Sequence, residues 1–163
     1  MLRELDPDIM RPNGIPLYRQ ANSSDIPSMS AIRLAVAENP LSDPARITVQ
    51  MYEDYLEKSG RGWVAESEGE IVAFCYADSG NSSIWALFVS PAHQGRGFAK
   101  TLLRLAVAWL FELGHDCVRL STGAGTRADR FYEAQGWLRQ AEGSSDVTYL
   151  MTKWSADSQH VRS

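Results

Sequence analysis

One segment, residues 89–103, constrains the fold of this chain more than any other part of its sequence. An apolar run ends at Val89, and Ser90-Pro91 then stops a central strand because proline has no backbone donor. A turn with two glycines, Gly95 and Gly97, comes next, and glycine adopts positive φ at no steric cost. Apolar residues at helical spacing follow: Ala99, Leu102, Leu103, Ala106, Val107 and Leu110. The segment therefore predicts a buried strand, a glycine turn and a long helix in succession.

This succession suits the binding of an anion. Free backbone N–H groups and the positive end of a helix dipole face the turn, and Arg96 and Lys100 add positive charge beside it. The expected ligand is a phosphate-bearing molecule, although a plain turn has the same spacing. A dinucleotide loop would need a further Gly or Ala, and a Walker loop would need Gly-Lys-Ser/Thr, so both are set aside.

Composition and charge narrow the class of protein. A chain of 163 residues has the length of one domain. A net charge of −4 argues against nucleic-acid binding. Cys75 and Cys117 have no further ligand at metal spacing, so we expect reduced thiols and no metal. The absence of a signal-peptide pattern or a long apolar run leads us to expect a cytoplasmic protein without membrane contact.

The remaining pattern predicts an α/β (α+β) domain over residues 16–154. Residues 1–15 are expected to be a mobile leader, and residues 155–163 a disordered tail. Helices are predicted at about 23–36, 43–60, 97–113 and 126–135, and strands at 17–20, 63–67, 71–76, 84–89, 118–121, 137–141 and 147–154. The strand, helix, strand order around the long helix implies a parallel, right-handed crossover.

Two motifs resemble the signature of the GNAT superfamily of N-acetyltransferases. Residues 94–99 (Gln-Gly-Arg-Gly-Phe-Ala) match its pattern of Gln or Arg, two residues, Gly, one residue, and Gly or Ala. Residues 128–137 (Ala-Asp-Arg-Phe-Tyr-Glu-Ala-Gln-Gly-Trp) are similar to its Ala-x-x-Phe/Leu-Tyr-x-x-x-Gly-Phe element. The resemblance implies a central, mostly antiparallel sheet of six to seven strands, with a splayed parallel pair and helices on both faces.

The resemblance also implies the ligand and where it binds. Acetyl-CoA, the cosubstrate, would lie between the splayed strands, where its pantetheine amides pair with the open strand and its diphosphate sits in the turn. The residues implied to bind it are Leu87, Phe88, Val89, Gln94, Gly95, Arg96, Gly97, Phe98 and Ala99.

The activity implied is direct transfer of acetyl from acetyl-CoA to a primary amine, on a small molecule or a peptide. Tyr132 matches the tyrosine that protonates the departing CoA thiolate in the family. From the residues alone a core role is favoured, because Phe131 and Tyr132 lie on one helical stripe, and the family match favours the acid role instead. Homodimers are frequent in the family, and the sequence shows no interface.

Two departures from the family pattern leave alternatives open. Gly125 stands where many relatives have Asn, and no carboxylate occurs at residues 83–86, so no general base is identified. His93 is interpreted as a solvent-facing turn residue. The alternative function is a non-catalytic acyl-CoA-binding sensor of the same fold, and a third option is a domain that binds ATP at the glycine turn.

Overall fold

A computed structural model describes residues 15–36, 59–142 and 145–154 of the chain. The strands are β1 (Leu17–Gln20), β2 (Gly60–Ser67), β3 (Glu70–Asp78), β4 (Ser83–Val89), β5 (Cys117–Gly123), β6 (Leu138–Glu142) and β7 (Asp146–Thr152). The α-helices are α1 (Ile26–Ala35), α2 (Phe98–Glu112) and α3 (Arg127–Ala134), with short 3₁₀ turns at Ser23–Asp25 and Pro91–His93. The described strands form one sheet in the order β1-β2-β3-β4-β5-β7-β6.

The predicted α/β class is confirmed, and each helix and strand predicted within the described residues is present with bounds shifted by a few residues. The predicted leader, tail and most of the second helix lie outside the described residues. Gly60, expected to end that helix, is instead the first residue of β2. A Cβ at Gly60 would collide with the Ala77 carbonyl oxygen, so glycine is required there by close strand approach.

Helices pack on both faces of the sheet. Successive side chains of a strand point to opposite faces, so β3 divides between two cores. Ala73, Cys75 and Ala77 lie in the core beneath α2, whereas Phe74 and Tyr76 lie in the core beneath α1. As a result, α1 and α2 lie on opposite faces of the sheet.

The sheet is split between β4 and β5, which are its one parallel pair among the described strands. The two strands share a single register pair, Ser83 with Arg119. At this end the Arg119 N–H donates to the Ser82 carbonyl oxygen at 3.0 Å, and the Ser82 hydroxyl donates to the Cys117 carbonyl oxygen. Beyond this point the strands are not paired, and their carboxyl ends separate.

Candidate functional site

A cavity of about 860 Å³ lies in the gap between β4 and β5. Residues 84–89 line one side and residues 120–123 line the other. The C-terminal turn of α1 borders the cavity on one face of the sheet, through Arg33 and Leu34. The first turns of α2 and α3 border it on the opposite face. The cavity therefore passes through the sheet, and its volume lies in the range of small-molecule sites.

A bulge in β4 lies beside the split. Tyr76 of β3 pairs with Ala86, whereas the next residue, Ala77, pairs with Ile84. Trp85 is therefore the extra residue of β4, and a bulge of this kind bends its strand and increases the local twist. The bulge therefore lies just beyond Ser83, the residue of β4 that pairs with β5.

The glycine turn closes one end of the cavity. Gly95 and Gly97 have φ values of +81° and +87°, which favour glycine. Gly97 is the N-cap of α2, and no side chain of the described residues caps its first N–H groups. A Cβ built at Gly97 would meet no atom within 4 Å. These residues thus offer open backbone donors at a helix N-terminus, an arrangement that fits a diphosphate.

The cavity lining is cationic. Arg33, Lys100 and Arg127 line it, and no Asp or Glu does so among the residues that the structure describes. This contrasts with the whole chain, whose net charge is −4. Arg127 donates from Nη1 to Gln94 Oε1 at 2.6 Å, which places its guanidinium beside the glycine turn. A lining of this sign favours an anionic ligand.

Eight of the nine residues predicted to bind acetyl-CoA line this cavity, and Arg96 does not. The eight are Leu87, Phe88, Val89, Gln94, Gly95, Gly97, Phe98 and Ala99. Arg96 lines a separate cavity of about 230 Å³ with Glu68 and Glu70. Arg96 therefore shares the smaller cavity with two carboxylates, and Arg127, through its hydrogen bond to Gln94, is a cation next to the turn.

Tyr132 of α3 is both a core residue and part of the cavity wall. Its side chain is 6% exposed, and its ring packs 5.7 Å from that of Trp137 and 5.8 Å from that of Tyr149, measured between centroids. Burial, and to a lesser extent Cys75, raises the pKa of Tyr132 above its ordinary value. The phenol therefore remains protonated at neutral pH and can donate a hydrogen bond or a proton.

Comparison with known proteins gives a match of residues 27–137 to the family model described as the acetyltransferase (GNAT) family. The chain belongs to the GNAT family. Its relatives include N-acetyltransferase 8 of Rattus norvegicus, which is 34% identical over 121 residues. That alignment covers 68% of this chain and 53% of the relative. The chain therefore spans about half the length of this relative.

Solved structures confirm the predicted GNAT fold. A GCN5-related N-acetyltransferase from Rhodopseudomonas palustris matches with a TM-score of 0.72 at 17% identity, covering 87% of this chain and 98% of the other. The PaiA N-acetyltransferase of Thermoplasma acidophilum, solved with coenzyme A, matches with a TM-score of 0.64 at 13% identity. That match covers 85% of this chain and 99% of the other.

Gly125, the residue at which the sequence departs from the family pattern, lies in the turn before α3. Its φ is +78°, and its N–H donates to Asp129 Oδ2 at 2.8 Å. Asp129 is buried and also accepts from Tyr149 Oη and, at 3.2 Å, from Arg139 Nη2. The Arg139 guanidinium, the Tyr149 hydroxyl and the Gly125 N–H lower the pKa of Asp129 to about 2. The carboxylate of Asp129 thus fixes the turn before α3.

Three residues of the lining differ from what the sequence indicated. His93 is half-buried, with Nδ1 buried and lacking a hydrogen-bond partner in the described part of the chain, so it is not the solvent-facing residue expected. Arg127 was not predicted as a lining residue. Its place after β5 was a usable signal, because the carboxyl ends of parallel strands meet at one edge of a sheet. Arg33 was also missed, because its place depends on how α1 packs across the sheet.

Two features are absent from the described residues. No helix there is long and apolar enough to cross a membrane. No group of three or more His, Cys, Asp or Glu side chains in the same residues could hold a metal ion.

Proposed function

We propose that this protein transfers the acetyl group of acetyl-CoA directly to a primary amine. The observation that carries the proposal is the cavity through the split sheet, with the glycine turn on one face and α1 on the other. Acetyl-CoA enters from the face of α2 and α3, and the amine enters from the face of α1. The two substrates then meet between β4 and β5, where Tyr132 forms part of the wall.

In this function, backbone groups and two cationic side chains bind acetyl-CoA. The unpaired backbone of residues 87–89 bonds the pantetheine amides, because open strand groups need partners. The diphosphate accepts hydrogen bonds from N–H groups of residues 94–99, and Lys100 and Arg127 balance its charge. The coenzyme A in the complex of the PaiA N-acetyltransferase supports a ligand of this chemistry on this fold.

The chemical step needs a proton at sulfur. Attack of the amine nitrogen on the thioester carbonyl forms the C–N bond, and the C–S bond then breaks with its electron pair remaining on sulfur. The phenol O–H of Tyr132 is protonated at neutral pH and donates its proton to that thiolate. The amine proton passes to water, because no carboxylate lines the cavity among the described residues, and water returns a proton to the Tyr132 oxygen.

The lack of a carboxylate among the described residues of the lining favours one competing function, a non-catalytic sensor of acyl-CoA. The deciding experiment measures release of coenzyme A thiol from acetyl-CoA with a panel of primary amines. Release that depends on the amine supports the enzyme, whereas tight binding of acetyl-CoA without release supports the sensor. In a parallel melting assay we expect coenzyme A, and not ATP, to raise the melting temperature. Stabilisation by ATP alone would contradict both functions.

The compartment is a further part of the proposal. Cys75 and Cys117 are free thiols, which are typical of reducing compartments. We therefore propose that the protein acts in the cytoplasm, on a small-molecule or peptide amine.

A further inference from the structure

Arg33 has a buried donor for which the described chain provides no acceptor. It lies in the last turn of α1 and lines the cavity on the face opposite the glycine turn. Its Nε is buried and has no hydrogen-bond partner in the part of the chain that the structure describes. An arginine stays charged at physiological pH, and a buried donor without a partner is unfavourable. The position therefore suits a ligand that brings its own acceptor.

Another arginine of the described chain shows the contrast. Arg19 is also half-buried, and it donates to both carboxylate oxygens of Asp25 at 2.8 and 2.9 Å and to Glu66 at 2.6 Å. The hydrogen bonds and negative charges of these two acids raise the pKa of the Arg19 guanidinium. Arg33, in the last turn of α1, has no acid of this kind among the described residues, whereas Arg19 of β1 is paired with Asp25 just before the same helix. The difference between the two is that Arg33 faces the cavity.

The surroundings of Arg33 indicate the rest of the ligand. The cavity wall beside it is apolar and aromatic, formed by Leu34, Val36, Trp85 and Phe88. The diphosphate of acetyl-CoA is assigned to the opposite face, so it does not reach this cation. An amine that enters from the face of α1 therefore meets one cation set among apolar side chains.

We propose that Arg33 binds a carboxylate of the acceptor, so that the acceptor is an amine that also bears a carboxylate and an apolar group. The planar guanidinium matches a carboxylate with two parallel hydrogen bonds. The inference rests on the proposed function, because it names the class of amine that function uses. Arg33 is then a specificity-determining residue and takes no part in the proton transfers.

The test compares amines that differ in the carboxylate alone. L-Phenylalanine and glycyl-L-phenylalanine are each paired with their C-terminal amide, and coenzyme A release is followed at saturating acetyl-CoA. With the natural chain, we expect at least one free acid to have a KM on the order of 10- to 100-fold below that of its amide, the range for a hydrogen bond to a charged group. Equal KM values within both pairs would overturn the proposal.

Arg33→Met keeps the aliphatic stem and removes the charge, and Arg104→Met on the exposed face of α2 is the matched control. We expect Arg33→Met to raise the KM of the free acid to that of its amide, while KM for the amide and Kd for acetyl-CoA stay within about twofold. Arg104→Met should retain the preference. A similar rise in KM for acid and amide with Arg33→Met would assign Arg33 to packing and overturn the inference.

A binding measurement separates this inference from the proposed function. If no amine releases coenzyme A, calorimetry with the coenzyme A-bound protein compares N-acetyl-L-phenylalanine and N-acetyl-glycyl-L-phenylalanine with their amides. Tighter binding of an acid that is lost in Arg33→Met supports the carboxylate site while the transferase proposal fails. Equal affinity for acid and amide in both pairs overturns the carboxylate site whatever the activity.

Discussion

Tyr132 and Tyr149 are neighbouring phenols with different environments. We expect substitution of Tyr132 to affect activity and substitution of Tyr149 to affect stability. Tyr132→Phe keeps the packed ring and removes the proposed proton donor. We expect kcat to fall by about 10² to 10⁴, the range for general acid catalysis, with Kd for acetyl-CoA unchanged by calorimetry. Turnover equal to that of the natural chain would remove Tyr132 from the mechanism.

Tyr149→Phe is the matched comparison. Tyr149 is fully buried, and its hydroxyl donates to the Asp129 carbonyl oxygen at 2.9 Å and to the Asp129 carboxylate. Removal of the hydroxyl should lower the free energy of unfolding by about 1–3 kcal/mol, because buried acceptors lose a partner. Urea denaturation measures this loss. An unchanged denaturation midpoint would show that these hydrogen bonds add nothing to stability.

The lowered pKa of Asp129 leads us to expect that the free energy of unfolding decreases in acid. Its pKa is about 2 in the folded chain and about 3.9 when unfolded, so its contribution is fully present above about pH 4. The contribution is lost as the pH falls from about 4 through 2. Asp129→Asn should therefore lower the free energy of unfolding most at pH 5–7, and the difference from the natural chain should shrink toward pH 2. Denaturation curves with a constant difference across this range would contradict the assignment.

At the scale of elements, the N-terminus of α2 combines a positive-φ glycine with open space. Gly97 and Gly114, at the two ends of this helix, have φ values of +87° and +106°, and a Cβ at either would meet no atom within 4 Å. Alanine at either position should thus cost a similar backbone strain, on the order of 1–2 kcal/mol. The two glycines differ in that Gly97 alone lines the cavity.

The paired substitutions separate strain from binding. We expect Gly97→Ala to weaken coenzyme A binding by roughly tenfold or more, since one charged hydrogen bond is worth at least that factor. Gly114→Ala should lower the melting temperature comparably and leave the Kd for coenzyme A unchanged. Calorimetry and thermal melting measure the two effects. Equal affinities for both variants would mean that the diphosphate binds elsewhere.

The elements of the fold were predictable because each has a local signal. Alternating and continuous apolar runs specify strands such as β4, and the apolar stripe of α2 specifies a helix. The glycine turn was equally local, and eight of the nine residues predicted to bind acetyl-CoA line the cavity. Arg33, Arg127 and the partners of Asp129 come from separate segments, and only the packing of α1, α3 and β7 against the sheet brings them into place.

At the scale of the molecule, the split divides the sheet into two parts. One contains β1 to β4, the other contains β5, β7 and β6, and a single register pair joins them. A ligand that pairs with both strands across the gap should protect both from hydrogen exchange. We expect coenzyme A to slow amide exchange in residues 87–89 and 120–123, with no change in residues 60–67. Protection confined to residues 94–99 would show that only the turn holds the ligand.

The pairing of Ser83 with Arg119 also affects the width of the cavity at the far end of β4. Ser82, beside this contact, has a φ of +50°, an uncommon value for serine, and its hydroxyl reaches across to Cys117. A rotation of about 5° at this contact would move Val89 by about 1.7 Å over a strand of roughly 20 Å. That displacement is close to one carbon–carbon bond, ~1.5 Å. The width of the gap between β4 and β5 is then sensitive to the backbone angles at Ser82, which lies at the opposite end of β4 from Val89.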